Sequence, residues 1–223
     1  MAALELPFVF AVAQEDYNKI FSSDYRRAIQ FLTEEEQPMD VIISSCGLKP
    51  KEVKSVVFPE LIRFNSIQDR METFTLESLY VKYGKAYANF SIGHFQIKPS
   101  FAENVEIDFL KMFGETELKR ILKISTSDTI QNIESRGERL KRIKDKKTQL
   151  LYVSLFFKLM EQKYPTWKTE EEKIKFFASA YNADYRKSAA EISAFISKKF
   201  FHTGFLASTK YSYADVAWYY YRH

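Results

Sequence analysis

One cysteine, three histidines, six glycines and six prolines in 223 residues rule out several kinds of protein at once. Cys46 alone can build neither a disulfide framework nor a thiolate metal cluster, and its apolar flanks predict a small buried residue. His94, His202 and His223 show no spacing that would supply a base to a cysteine nucleophile or a ligand set to zinc, so no metal and no cofactor is implied. Scarce glycine and proline argue against a turn-rich β-architecture. No run approaches the roughly 18 apolar residues of a membrane span, so no transmembrane segment is expected. No internal repeat or low-complexity linker is present.

What is there describes a helical globular chain. Hydrophobic residues make up 46% and charged residues 28%, and the length suits one domain with a core large enough to carry a cleft. Phe (20) and Tyr (14) are abundant; at helical spacing most belong in the core, which leaves a minority for a sugar-stacking wall. A net charge of +4 suits an anionic partner without choosing one. The densest basic run holds Arg136, Arg139, Lys141, Arg142, Lys144, Lys146 and Lys147 with no aromatic interleaved to stack on bases. It predicts a solvated helix face and no nucleic-acid partner.

In chain order, residues 6–13 are apolar and end in Ala11-Val12-Ala13, so residues 1–13 read as the remnant of a secretory leader cleaved before Gln14, the alternative being a simple N-terminal packing segment. An N-terminal helical extension over 14–48 follows, with apolar spacings of three and four from Tyr17 to Leu32. An acidic break lies at 34–38, and a helix over 39–46 stops at Gly47. Residues 49–223 form the main domain. Pro50 opens a helix through Phe64 whose stripe of Val53, Val56, Val57, Leu61 and Phe64 predicts burial. Glu60 falls in its most apolar part, where desolvation raises a carboxyl pKa as a general acid requires; the alternative is an exposed edge or a pair with Arg63. Pro59 predicts a bend.

A helix over 67–83 directs Met71, Phe74, Leu76, Leu79, Tyr80 and Tyr83 inward, with Asp69, Glu72 and Glu77 on a solvated face. Further helices are expected over 99–110, capped near Gly114, over 117–124, and along the basic run after a cap at Ser127-Asp128. Residues 149–164, apolar nearly all round, predict the central buried helix. Helices over 170–183, 188–201 and 211–221 complete an all-α fold with little or no β-structure.

Between helices, residues 87–101 form a loop expected to line an active-site cleft; it carries Gly93-His94-Phe95-Gln96, where a glycine lets backbone approach a ligand. Glu60 on its helix, Gly93 to Gln96 in the loop and Ala180-Tyr181-Asn182 at a helix end stand in the order seen in one enzyme group. The chain resembles, as a divergent member, the lysozyme-like superfamily, in particular the goose-type lysozyme and soluble lytic transglycosylase group, glycoside hydrolase family 23. The resemblance spans residues 53–190. It departs at Leu61, where the group commonly has Ser, at His94-Phe95 in place of Leu-Met, and at Asp184 in place of Gly.

The resemblance implies a lysozyme-like helical domain acting on peptidoglycan glycan strands, periplasmic or secreted, and a monomer is expected. Glu60 would be the catalytic acid cleaving the β-1,4 bond between N-acetylmuramic acid and N-acetylglucosamine. Gly93, His94, Phe95, Gln96, Tyr181 and Asn182 would bind substrate, with Gly93 admitting the sugar to the backbone and Tyr181 donating to Glu60. A family tyrosine near the C-terminus stays open among Tyr211, Tyr213 and Tyr219 to Tyr221. With no compelling second acid, the transglycosylase outcome is preferred over hydrolysis. The alternative is a non-catalytic glycan-binding or cell-wall assembly protein on the same fold.

Overall fold

Helix caps and apolar faces account for nearly all the regular structure in the computed structural model, which describes residues 15–64, 71–202 and 209–223. The fold is all-α: among the described residues ten α-helices and one 3-10 turn are joined by a single two-stranded antiparallel sheet. No helix there is long and apolar enough to cross a membrane. The leader remnant expected over 1–13 lies outside the described residues, as do residues 67–70 of the helix expected over 67–83.

Two buried helices organise the core. Helix α3 (Pro50–Phe64) starts on a proline whose fixed φ suits the first turn, and every residue from Glu52 to Ile62 is buried. It continues through Pro59, which stands inside the helix. Helix α7 (Lys146–Lys163) is capped by the Asp145 carboxylate on Thr148 N and buries side chains on all sides, from Gln149 and Leu150 to Met160.

Around them pack α1 (Tyr17–Glu34), kinked at Ser22, and α2 (Glu36–Ser45). The acidic stretch interrupts the helices only at Glu35. Pro38 falls in the first turn of α2, where a missing N–H leaves no hydrogen bond unmade. Tyr17, Phe21, Tyr25, Leu32, Met39 and Ile43 share the core that α3 and α7 build.

Helix α4 (Met71–Tyr83) buries Tyr80 and leaves Tyr83 exposed, contrary to its inward expectation. Helix α5 (Pro99–Leu122) joins the two short helices expected there, with a kink at Gly114 (φ 82°, ψ 170°) in place of a stop. Packing overrode the glycine signal, since Leu118, Ile121 and Leu122 beyond the kink are buried. Helix α6 (Ile133–Lys144) carries most of the basic run and is capped by Asn132, while Ser125 and Asp128 form a capping box on the 3-10 turn before it.

The solvated face expected of the basic run is corrected at Arg139 and Arg142. Arg139 is fully buried, donating to Glu106 at 2.6 and 2.8 Å and to Tyr80 Oη at 3.2 Å, while Arg142 reaches the same carboxylate at 3.0 Å. A buried carboxylate demands such partners, and α6 meets α5 through them.

Helix α8 (Glu170–Ala183) is capped by Thr169 and α9 (Ala189–Ile196) by a Ser188–Glu191 capping box. The helix expected over 188–201 ends at Ile196. Strand β1 (Lys199–Phe201) follows and pairs with β2 (Tyr211–Ser212), because Phe201 is buried against Phe21 and Tyr213. The Ser212 hydroxyl donates to Ile196 O at 2.7 Å and accepts from Asp215 N at 3.1 Å, so one side chain closes α9 and caps α10 (Tyr213–Arg222). Helix α10 packs on α3 and α8, and Tyr219 donates to Asp16 at 2.9 Å, tying the chain's last helix to its first.

Candidate active site

Helix α3, the loop after α4 and the end of α8 meet around a cleft of about 310 Å³. Glu60, Gln96, Tyr181 and Asn182 line it, together with Arg63, Asn89, Ser91, Lys98, Asn104 and Asp184. The lining is polar in a protein whose neighbouring helix faces are apolar, and Glu60 lies where the two meet.

Glu60 is 5% exposed. Burial pushes its carboxyl above the usual carboxylate range, opposed first by the Arg63 guanidinium, then by the Tyr213 hydroxyl and Lys98. Arg63 follows three residues later on the same helix face, with Nη1 at 3.3 Å from Oε2 and 3.5 Å from Oε1. Its guanidinium also lies over the Phe201 ring, 5.1 Å from the centroid. The pairing with Arg63 weighed from the sequence is therefore present, and burial still dominates it.

Tyr213 is the terminal tyrosine that stands at Glu60. Its hydroxyl donates to the Val56 carbonyl at 3.2 Å and lies close enough to the Glu60 carboxyl to oppose its upward shift.

The loop is closed by an antiparallel bridge in which Ile92 and Ile97 exchange two backbone hydrogen bonds, each 3.0 Å. The four residues between turn tightly, with φ +68° at Gly93 and +51° at Gln96. Gln96 N and Nε2 both donate to Gly93 O, at 3.1 and 2.7 Å, which fixes the side chain at the cleft wall.

Gly93, His94 and Phe95 do not line the cleft, and each has another place. A Cβ at Gly93 would overlap the Gln149 amide nitrogen and stand 2.6 Å from Cδ and Oε1, so the close approach this glycine permits is to a buried core side chain. Gln149 Oε1 accepts from Phe95 N at 3.3 Å and its Nε2 donates to Ile143 O at 2.6 Å. Phe95 is fully buried and cannot touch a ligand in the cleft. His94 is half-buried between Phe31 and Phe64, with ring centroids 4.4 and 4.2 Å away. Burial, then nearby Lys146, holds its pKa below the usual histidine value, against the pull of Glu35.

Tyr181 lines the cleft, yet its hydroxyl donates to Phe95 O at 2.7 Å and not to Glu60. It acts on the loop: Gln149 from α7 holds the Phe95 amide and Tyr181 from α8 holds its carbonyl. Of the neighbouring acids, Glu77 pairs with Lys144 at 2.6 Å, away from the cleft, and Asp69 and the Glu72 side chain lie outside the described residues. Asp184, at the C-cap of α8, is the other carboxylate among the cleft's lining residues.

Sequence reasoning read residues 87–101 as cleft lining without singling out Asn89, Ser91 or Lys98, and it missed Asn104. Residues 87–92 carry a signal for two of them, since Ala88 and Ile92 are buried while Asn89 and Ser91 are exposed, an alternation that sets polar groups on one side of an extended chain. Comparison with protein-family models, curated proteins and solved structures finds no match to this chain.

Proposed function

We propose that this chain is a peptidoglycan muramidase of the lytic transglycosylase kind, acting outside the cytoplasm. One observation carries the reading: a buried glutamate, held toward its neutral form, at the edge of a polar cleft lined by Gln96, Tyr181 and Asn182. A carboxyl in that setting is an acid near neutral pH. Glu60 gives its proton to the glycosidic oxygen as the bond to the muramic C1 breaks. The resulting carboxylate, steadied by Arg63 and Tyr213, takes the proton of the muramic 6-hydroxyl as O6 bonds to C1. The product is a 1,6-anhydro ring and Glu60 is again protonated, with no water consumed. A single carboxylate suffices for this sequence, whereas hydrolysis requires a second, for which Asp184 is the candidate in the cleft.

A second reading, a glycan-binding protein without turnover, is favoured by the Arg63 guanidinium on Glu60, which stabilises the carboxylate against the acid. Digestion of purified sacculi followed by mass spectrometry separates the readings. Anhydro-muropeptides that disappear in Glu60→Gln are expected. Reducing ends would make the enzyme a hydrolase, and an intact sacculus would leave only the binding reading.

A further inference from the structure

Among the described residues nearly all rings are buried or half-buried, but Tyr83, Tyr87 and Phe200 are exposed, the first two at 47% and 68%. Those two stand together with ring centroids 5.1 Å apart and planes tilted by 41°. Exposed aromatic rings forgo the burial that normally holds them, so a paired and immobilised set points to a ligand.

The pair is firmly held. Gly84, at φ +87°, ends α4 by donating to Tyr80 O at 2.7 Å, and Tyr87 N returns to Gly84 O at 3.1 Å, folding the second ring against the first. Arg136 from α6 donates to the Val81 and Lys82 carbonyls at 2.9 and 3.1 Å, satisfying the helix end that carries Tyr83. Lys82 Nζ lies 5.1 Å from the Tyr83 centroid and covers one face of that ring.

The platform adjoins the cleft along the chain. Tyr87, Asn89 and Ser91 are exposed while Ala88 and Ile92 between and beyond them are buried, and Asn89 and Ser91 line the cleft. Two residues of chain separate the Tyr87 and Asn89 Cα atoms by no more than about 7 Å. Asn89 is fixed in turn, its Oδ1 accepting from Ser100 N at 3.3 Å.

We infer that Tyr83 and Tyr87 form an outer carbohydrate subsite, stacking on the C–H faces of sugar units that extend past the cleft. A pyranose offers an apolar C–H face to an aromatic ring, and rigid tyrosines bind it with little ordering cost. This subsite rests on the glycan-cleft reading above and adds where the strand runs once it leaves Glu60.

The test is calorimetric titration of the full chain with soluble β-1,4-linked N-acetylglucosamine oligomers, a trimer and a hexamer. Tyr83→Ala/Tyr87→Ala is expected to weaken hexamer binding about tenfold and to leave trimer binding unchanged, while Tyr83→Phe/Tyr87→Phe keeps the native affinity. Circular dichroism checks that the exposed substitutions leave the fold intact. An alanine variant that binds the hexamer as tightly as the native chain overturns the subsite, as does a phenylalanine variant that loses as much as the alanine one. Native protein that binds neither oligomer overturns both the subsite and the glycan cleft. Native protein that binds the hexamer but leaves sacculi intact removes only the catalytic reading.

Discussion

Replacing Gly93 by alanine tests the loop's anchorage quantitatively. The new Cβ would overlap the Gln149 amide, which is the end of a flexible side chain and would yield easily in solvent. Here it cannot yield freely, because Gln149 is 1% exposed and its two amide atoms hold Phe95 N and Ile143 O. Displacing it leaves those buried backbone groups unpaired at about 1–3 kcal/mol each. Holding alanine at φ +68° adds about 1 kcal/mol. Gly93→Ala should therefore cost about 3–7 kcal/mol of a total on the order of 5–15 kcal/mol. Urea unfolding reads this directly, and the midpoint of thermal unfolding should fall by roughly 10–20 °C. In a Gln149→Ala background the overlap is gone and the hydrogen bonds are already lost, so adding Gly93→Ala should then cost only about 1 kcal/mol of backbone strain. A Gly93→Ala cost below about 1 kcal/mol in the native background, or the same cost in both backgrounds, would refute the reasoning.

Two further outcomes are expected. Arg63 is the largest influence lowering the Glu60 pKa against burial, so Arg63→Met should raise that pKa and carry the alkaline limb of the pH–rate profile upward, since the protonated acid then persists to higher pH. A carbon-13 titration of the Glu60 carboxyl reads the same displacement without turnover, and a downward or absent displacement contradicts it. Arg139→Ala should cost about 3–5 kcal/mol in urea unfolding by stripping the buried Glu106 and Tyr80 of a partner, whereas Lys141→Ala, from the same basic run, should change stability by less than about 0.5 kcal/mol; equal costs would deny the burial argument.

Amino-acid order alone determined the helical class, the buried character of α3 and α7, and the break at Gly47 with the helix start at Pro50, because these follow from local spacing and backbone preferences. It also placed Glu60 in an apolar setting, since the Val and Leu around it are its own helix neighbours. Only tertiary structure decided which tyrosine meets Glu60: five compete in the terminal stretch from Tyr211 to Tyr221, and Tyr213 is chosen by how α10 lies on α3. The same holds for the loop. Gly93 was legible as a residue that permits close approach, but what approaches is Gln149, 56 positions later in the chain. Arg139 reads like its exposed neighbours until α6 is laid against Glu106, and Tyr83 reads as a core residue until Gly84 and Arg136 turn the end of α4 outward. Periodicity states which residues share a face; which partner that face meets depends on contacts between distant segments, and those fixed how the residues of the loop divide between core and cleft.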